Sequence, residues 1–177
     1  MEKSPEAAGG ATPKVPSLNV VIMGAGIAGL AAAIALRRAG HKVSMHEQRP
    51  AETESALGLV IPPNAGRLLQ ALGVDPIALG FVEARELQFY CAETLMKGSC
   101  MSLSAKEGES FGSVFYFGHR RDLHTALVNL ATQADGVGEP VVIRYDSQVW
   151  EYVSAVLSPF PFPLSPRHWA LASKTSC

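Results

Sequence analysis

Three glycines at fixed spacing, Gly24, Gly26 and Gly29, stand between an apolar run, Val20 to Met23, and a segment rich in alanine and leucine. That arrangement is chemistry for an anion. Gly24 permits a tight turn out of a strand, and Gly26 lets a pyrophosphate approach the backbone without meeting a Cβ. Gly29 lets the following helix lie close against a sheet. The helix N-terminus then turns its free N–H groups and positive dipole end towards the phosphates. A second short strand, Val43 to His46, runs into Glu47, where a βαβ unit presents a carboxylate to the ribose hydroxyls of an adenosine. Glycine pairs also occur in ordinary turns. Here the strand before, the helix after, the Gly40 stop and the acidic residue together give a dinucleotide site. The alternative is a glycine-rich core turn beside a surface glutamate.

Other reactive side chains form no comparable pattern. His119 and His124 are five positions apart, with no third ligand and no neighbouring carboxylate in a metal spacing, so no metal site is expected. His46 alternates outward on its strand and reads as structural. No serine sits in a nucleophile elbow. Cys91, Cys100 and Cys177 are odd in number and lack metal-ligand spacing; free thiols in a reducing compartment, the cytoplasm, are the simpler reading. Cys91 and Cys100 carry no sign of an activated thiol.

The elements that must position the glycines follow from pattern. The chain has 177 residues, 47% of them hydrophobic and 18% charged, so it can bury a core of its own. A net charge of −1 offers no broad attraction for nucleic acid or an anionic membrane. The segment Leu30–Leu36 is apolar all round, but Arg37 and Arg38 cut it well short of the roughly 20 residues that span a bilayer. A buried helix is expected, with no membrane span. Residues 1–16 hold three prolines, no apolar period and no secretory signal, and read as a disordered leader.

Asn64 is positioned to cap a short helix through Leu68, Leu69 and Leu72, closed by Gly73. Asp75-Pro76 has the form of another helix start. Strands are expected over Ala84–Tyr90, Gly112–Phe117 and Pro140–Val149, with a mixed, turn-like stretch over Met96–Ser110. Asp122 is positioned to cap a helix with Leu123, Leu127 and Leu130 on its buried stripe. After Tyr152 the texture changes. Residues 153–177 contain Pro159, Pro161, Pro163 and Pro166 and no Asp or Glu, so neither helix nor strand is expected there.

Three blocks of this sequence resemble the FAD-dependent aromatic-ring hydroxylases, single-component flavin monooxygenases of the salicylate-hydroxylase type found in fungal secondary metabolism. The first is Gly24 to Glu47 with Gln48-Arg49 following, including Ala33, Leu36, Gly40 and Val43 at the family's spacing. The second runs from Gly58-Leu59-Val60-Ile61-Pro62-Pro63-Asn64-Ala65-Gly66 to Gly73, similar to a segment that lies beside the flavin. The third, His119-Arg120-Arg121-Asp122-Leu123-His124, is similar to the family's Arg-x-Asp-Leu-His helix start. The likeness covers about Leu18 to Tyr152.

The resemblance implies an α/β fold, Rossmann-type and FAD/NAD(P)-binding, incomplete at its C-terminal side. It implies FAD as cofactor with NAD(P)H as reductant, and hydroxylation of an aromatic or polyketide-like small molecule with O2. The cofactor-binding positions it implies are Gly24, Gly26 and Gly29 for the pyrophosphate, Glu47 for the ribose, and Gly58 and Arg120 towards the cofactor. A planar guanidinium with five donors independently suits a phosphate or ribose edge. The alternatives are a solvated Arg120 and a plain turn glycine at Gly58, and Arg49 reads as a surface residue. No residue is identifiable as a catalytic acid or base. The family's later Gly-Asp and Asp-Gly blocks are not found, so the expectation is a truncated member: 17–152 as the FAD-binding domain and 153–177 as a tail foreign to the family. An inactive dinucleotide-binding remnant is the alternative.

Overall fold

The computed structural model describes residues 16–51, 57–103, 112–152 and 171–173. Its elements in chain order are β1 (Asn19–Met23), α1 (Ile27–Arg38), β2 (Lys42–His46), β3 (Gly58–Ile61), α2 (Pro63–Ala71), β4 (Val82–Glu83), β5 (Glu86–Tyr90), β6 (Lys97–Ser102), β7 (Tyr116–His119), α3 (Arg120–Thr132), β8 (Val142–Arg144), β9 (Val149–Tyr152) and β10 (Leu171–Ser173).

Strands β1 and β2 pair in parallel from Asn19 opposite Lys42 to Met23 opposite His46. Parallel neighbours need a crossover, and α1 supplies it. Strand β8 adds to the other edge of β2, also parallel, giving the order β1-β2-β8. Helices α1 and α3 pack against each other. The core joins Leu30, Ala33 and Ile34 of α1, Val43 and Met45 of β2, and Leu123, Leu127 and Ala131 of α3. These positions recur at helical spacing on the helices and alternate on β2, which is why the sequence pattern exposed them.

Both α1 and α2 close on a Schellman turn. After α1 the Gly40 N–H reaches the Arg37 carbonyl and the His41 N–H the Leu36 carbonyl; after α2 the Gly73 and Val74 N–H groups reach Gln70 and Leu69. Gly40 and Gly73 adopt φ of +88° and +87°, the left-handed region glycine occupies without penalty.

Several expectations about local structure are corrected. Asn64 does not cap α2: Pro62 is the cap residue, no side chain bonds the first turn, and Pro63 starts the helix with its fixed φ. Asp75 starts only a turn, accepting the Ile77 and Ala78 N–H groups, because Gly80 at φ +73° ends it at once. Asp122 lies inside the first turn of α3, whose cap residue is His119. Of the expected stripe, Leu123 and Leu127 are buried, and Ala131 rather than Leu130 completes it. The stretch after Met96 is not all turn, since Lys97–Ser102 pairs antiparallel with β5 and both strands are largely exposed.

Helix α1 is not enclosed all round either: Ala28, Ala32 and Ala35 are exposed, whereas Arg37 is 1% exposed. The prolines at 159–166 lie outside the described residues. Beyond them, Leu171–Ser173 pairs antiparallel with β9, contrary to the expectation of no strand, since this stretch follows the last proline and every residue in it can donate an N–H.

Candidate cofactor site

The site is built at the C-terminal ends of β1 and β2, where the chain leaves each strand. Gly24 turns at φ +96°, and its N–H donates to the His46 carbonyl at 2.7 Å. The Ala25 N–H donates to Glu47 Oε2 at 2.8 Å, and Glu47 Oε1 accepts the Arg49 N–H at 2.9 Å. Each carboxylate oxygen keeps a second lone pair for a further donor. Ala25 also accepts a hydrogen bond, 2.7 Å long, from Nε2 of the buried His124 on α3.

Gly26 is the cap residue of α1, with φ −73° and ψ 175°. A Cβ built there meets nothing within 4 Å, so the space above its backbone is open to a ligand. Gly29 is the opposite case. A Cβ there would collide with the Gly24 carbonyl oxygen and come within 3.3 Å of the Met45 side chain on β2. The helix therefore rests directly on the turn, as the spacing of the three glycines implied.

A cavity of about 170 Å³ opens over this turn. Gly26, Glu47, Arg49, Arg120, His124 and Tyr145 line it, together with Ala25, Gln48, Pro50 and Ala51. The cavity is smaller than the roughly 300–1,000 Å³ that enclose a whole drug-sized ligand, so it suits one portion of a dinucleotide. One carboxylate and two guanidiniums face it, a charge set that accepts ribose hydroxyls and balances phosphate. Burial, and secondly the nearby Glu47 charge, holds the Tyr145 phenol above its ordinary pKa.

The sequence-predicted residues divide by location. Gly26, Glu47 and Arg120 line the cavity, Gly24 forms the turn beneath it, and Gly29 seats the helix. Gly58 does not line it. It pairs with His119 across β3 and β7, and the neighbouring Leu57 carbonyl accepts the Arg120 N–H at 2.9 Å, so Gly58 adjoins Arg120 through the ladder.

Three residues gain a place the sequence did not assign. Arg49, read as a surface residue, is exposed but on the cavity wall. Tyr145 follows β8 into the same wall. His124 lies one turn after Arg120 on the same face of α3, a spacing that could have signalled it. His46 is turned inward, 6% exposed, with Nδ1 2.8 Å from Ser147 Oγ; the loop after β8 folds back over it, so simple alternation misjudged its side.

Residues 19–73 match the FAD binding domain family. Over 137 residues the chain is 36% identical to the FAD-dependent monooxygenase cfoG of Aspergillus candidus, covering 77% of this chain and 32% of that protein. It is 37% identical over 133 residues to hispidin-3-hydroxylase of Neonothopanus nambi, covering 75% and 31%. The chain is a relative of the FAD-dependent aromatic hydroxylases. Among solved structures, 2-methyl-3-hydroxypyridine-5-carboxylic acid oxygenase in its tetrameric form superposes with a TM-score of 0.61 at 28% identity, covering 75% of this chain and 32% of that one.

The fold is accordingly the Rossmann-type one of flavin monooxygenases, and the chain spans about a third of the length of the relatives it matches. Among the described residues no helix is long and apolar enough to cross a membrane.

Proposed function

We propose that residues 17–152 are the FAD-binding domain of a monooxygenase that hydroxylates an aromatic or polyketide-like small molecule, using NAD(P)H and O2. The observation that carries this is the open space over Gly26 at a helix N-terminus, where even a Cβ would meet no atom within 4 Å. In this reading Gly24 and Gly26 present the backbone to the pyrophosphate, and Gly29 keeps α1 close enough to do so. Glu47 receives the ribose hydroxyls, while Arg120 contributes a planar cation, and Gly58 belongs to the strand that leads the chain towards the flavin. Bound FAD would supply the redox chemistry; the chain's own residues here bind and orient it.

Relatives named as acting on hispidin and on 3-hydroxybenzoate support an aromatic substrate. The cytoplasm suits the cysteine usage, and the near-neutral charge argues against a nucleic-acid partner. Of the residues after Tyr152, the described Leu171–Ser173 adds a strand to β9 at the end of this domain.

The test is the visible spectrum of the purified chain after gel filtration. A flavin band that is lost in Glu47→Ala supports the assignment, and a folded but colourless protein that takes up no added FAD overturns it. A second reading, a dinucleotide-binding remnant without hydroxylase activity, draws on the cavity walls, which address an ADP moiety and do not include Gly58. Flavin that binds yet is not reduced by NADH or NADPH favours that second reading.

A further inference from the structure

The backbone that would meet the phosphates is held at three successive groups. The Gly24 N–H is bonded to the His46 carbonyl, the Ala25 N–H to Glu47, and the Ala25 carbonyl to His124. Two of these restraints come from β2 and its end. The third crosses from α3, 99 positions along the chain. A carbonyl oxygen only accepts, so Nε2 of His124 must carry the hydrogen. All described peptide bonds are trans, and in a trans peptide the N–H points opposite to the C=O. Tying the Ala25 carbonyl to His124 therefore fixes the Gly26 N–H in the opposite direction, at the mouth of α1.

Packing does not account for the choice of histidine. Leu123, Leu127 and Ala131 provide the apolar contacts of α3, while His124 is one residue round the helix and faces the glycine turn. Its ring lines the cavity together with Arg120, one turn earlier.

We propose that His124 is a positioning residue. It holds the Ala25–Gly26 peptide in its phosphate-binding orientation before any ligand arrives, so that the dinucleotide does not have to order the turn. The benefit to binding rests on the reading of this cavity as the FAD site; the positioning of the peptide does not.

The experiment compares the full chain with His124→Phe, which keeps a ring and loses the donor, and His124→Gln, which keeps an N–H near the Nε2 position. Hydrogen exchange of the Ala25 amide, whose bond to Glu47 Oε2 opens when the turn loosens, reports the order of the turn without ligand, and the dissociation constant for ADP is measured by calorimetry. Exchange is expected to quicken at least about tenfold in His124→Phe and to return towards the wild-type rate in His124→Gln. The ADP constant should rise about tenfold in the first variant, the effect of one net hydrogen bond, and stay within about threefold in the second.

Unchanged Ala25 exchange in a folded His124→Phe protein overturns the proposal. So does equal loss of ADP affinity in both variants, which would mark a merely structural histidine. An expected exchange pattern in a chain that binds neither ADP nor FAD overturns the cofactor reading and leaves the positioning role standing. Should His124→Phe not fold, the wild-type ring decides alone: a nitrogen-15 spectrum must show hydrogen on Nε2, and an Nδ1–H tautomer refutes the bond.

Discussion

Arg37 offers a direct test of how the site's helices are held in place. The side chain is 1% exposed and stands at the end of α1. Its guanidinium bonds the carbonyls of Leu130 and Ala131 at 3.0 Å each, Gln133 at 2.7 Å and Gly138 at 3.2 and 3.3 Å. These are the last carbonyls of α3 and of the loop after it, so the buried cation is balanced by a helix C-terminus in place of a carboxylate. The same α3 carries Arg120 and His124 at its other end.

Replacement by alanine removes all five bonds. The Ala131 bond is wholly buried; that carbonyl keeps the Val141 N–H, and the loss of its bond to a charged donor costs about 1.5–3 kcal/mol. Water can reach the others in part, and the lost packing of the aliphatic stem adds about 1–2 kcal/mol. The sum for Arg37→Ala is about 3–5 kcal/mol, a large share of the roughly 5–15 kcal/mol that stabilises a domain. Arg37→Lys keeps the charge but loses the fork, and should cost about 1–2 kcal/mol. Urea unfolding followed by circular dichroism reads both. With a slope of about 2 kcal/mol per molar, the alanine midpoint should fall by about 1.5–2.5 M and the lysine midpoint by less than about 1 M. An Arg37→Ala midpoint within about 0.5 M of the wild type would refute the clamp.

Three further outcomes follow from the same structure. Gly29→Ala places a methyl group on the Gly24 carbonyl, so it should lose about 1–3 kcal/mol and melt about 5 °C or more below the wild type in a calorimetric scan. The raised Tyr145 pKa gives a stability contribution that is complete below the free tyrosine pKa of about 10 and is lost as pH rises through the higher folded value; ultraviolet titration of Glu47→Gln should show that value moved down, because one of its two causes is gone. Hydrogen bonds from Thr94, first through its side chain, lower the Cys91 pKa, so alkylation of Cys91 should set in below the pH of a free thiol and shift upward in Thr94→Val.

Much of the site was legible because it is local. The strand, turn and helix around Gly24, Gly26 and Gly29 are fixed by neighbours in sequence, and Glu47 falls where β2 must end. What the sequence concealed depends on contacts between distant segments. Arg37 reads as a terminator of an apolar run, and only the approach of α3 makes it a buried clamp. A single histidine carries no mark of its partner, so the bond from His124 to Ala25 could not be read. The start of α3 was displaced from His119 to Asp122 because no side chain caps that helix; the strand β7 hands the chain straight into it, and Leu57, just before β3, holds Arg120 through a backbone bond. The sequence Lys97–Ser102 lacks alternation because neither face of β6 is buried, so the pattern that reveals a strand was absent.

If the space over Gly26 belongs to the cofactor, Gly26→Ala must weaken binding without unfolding the chain. Its φ of −73° suits any residue, and the added Cβ meets nothing within 4 Å. The gain from a stiffer unfolded chain and the loss from a poorer cap residue nearly offset, leaving stability within about 1 kcal/mol. The expected variant is folded, with an unshifted melting temperature, and its FAD dissociation constant, measured by fluorescence titration, rises at least about tenfold. Wild-type FAD affinity in Gly26→Ala would contradict that assignment.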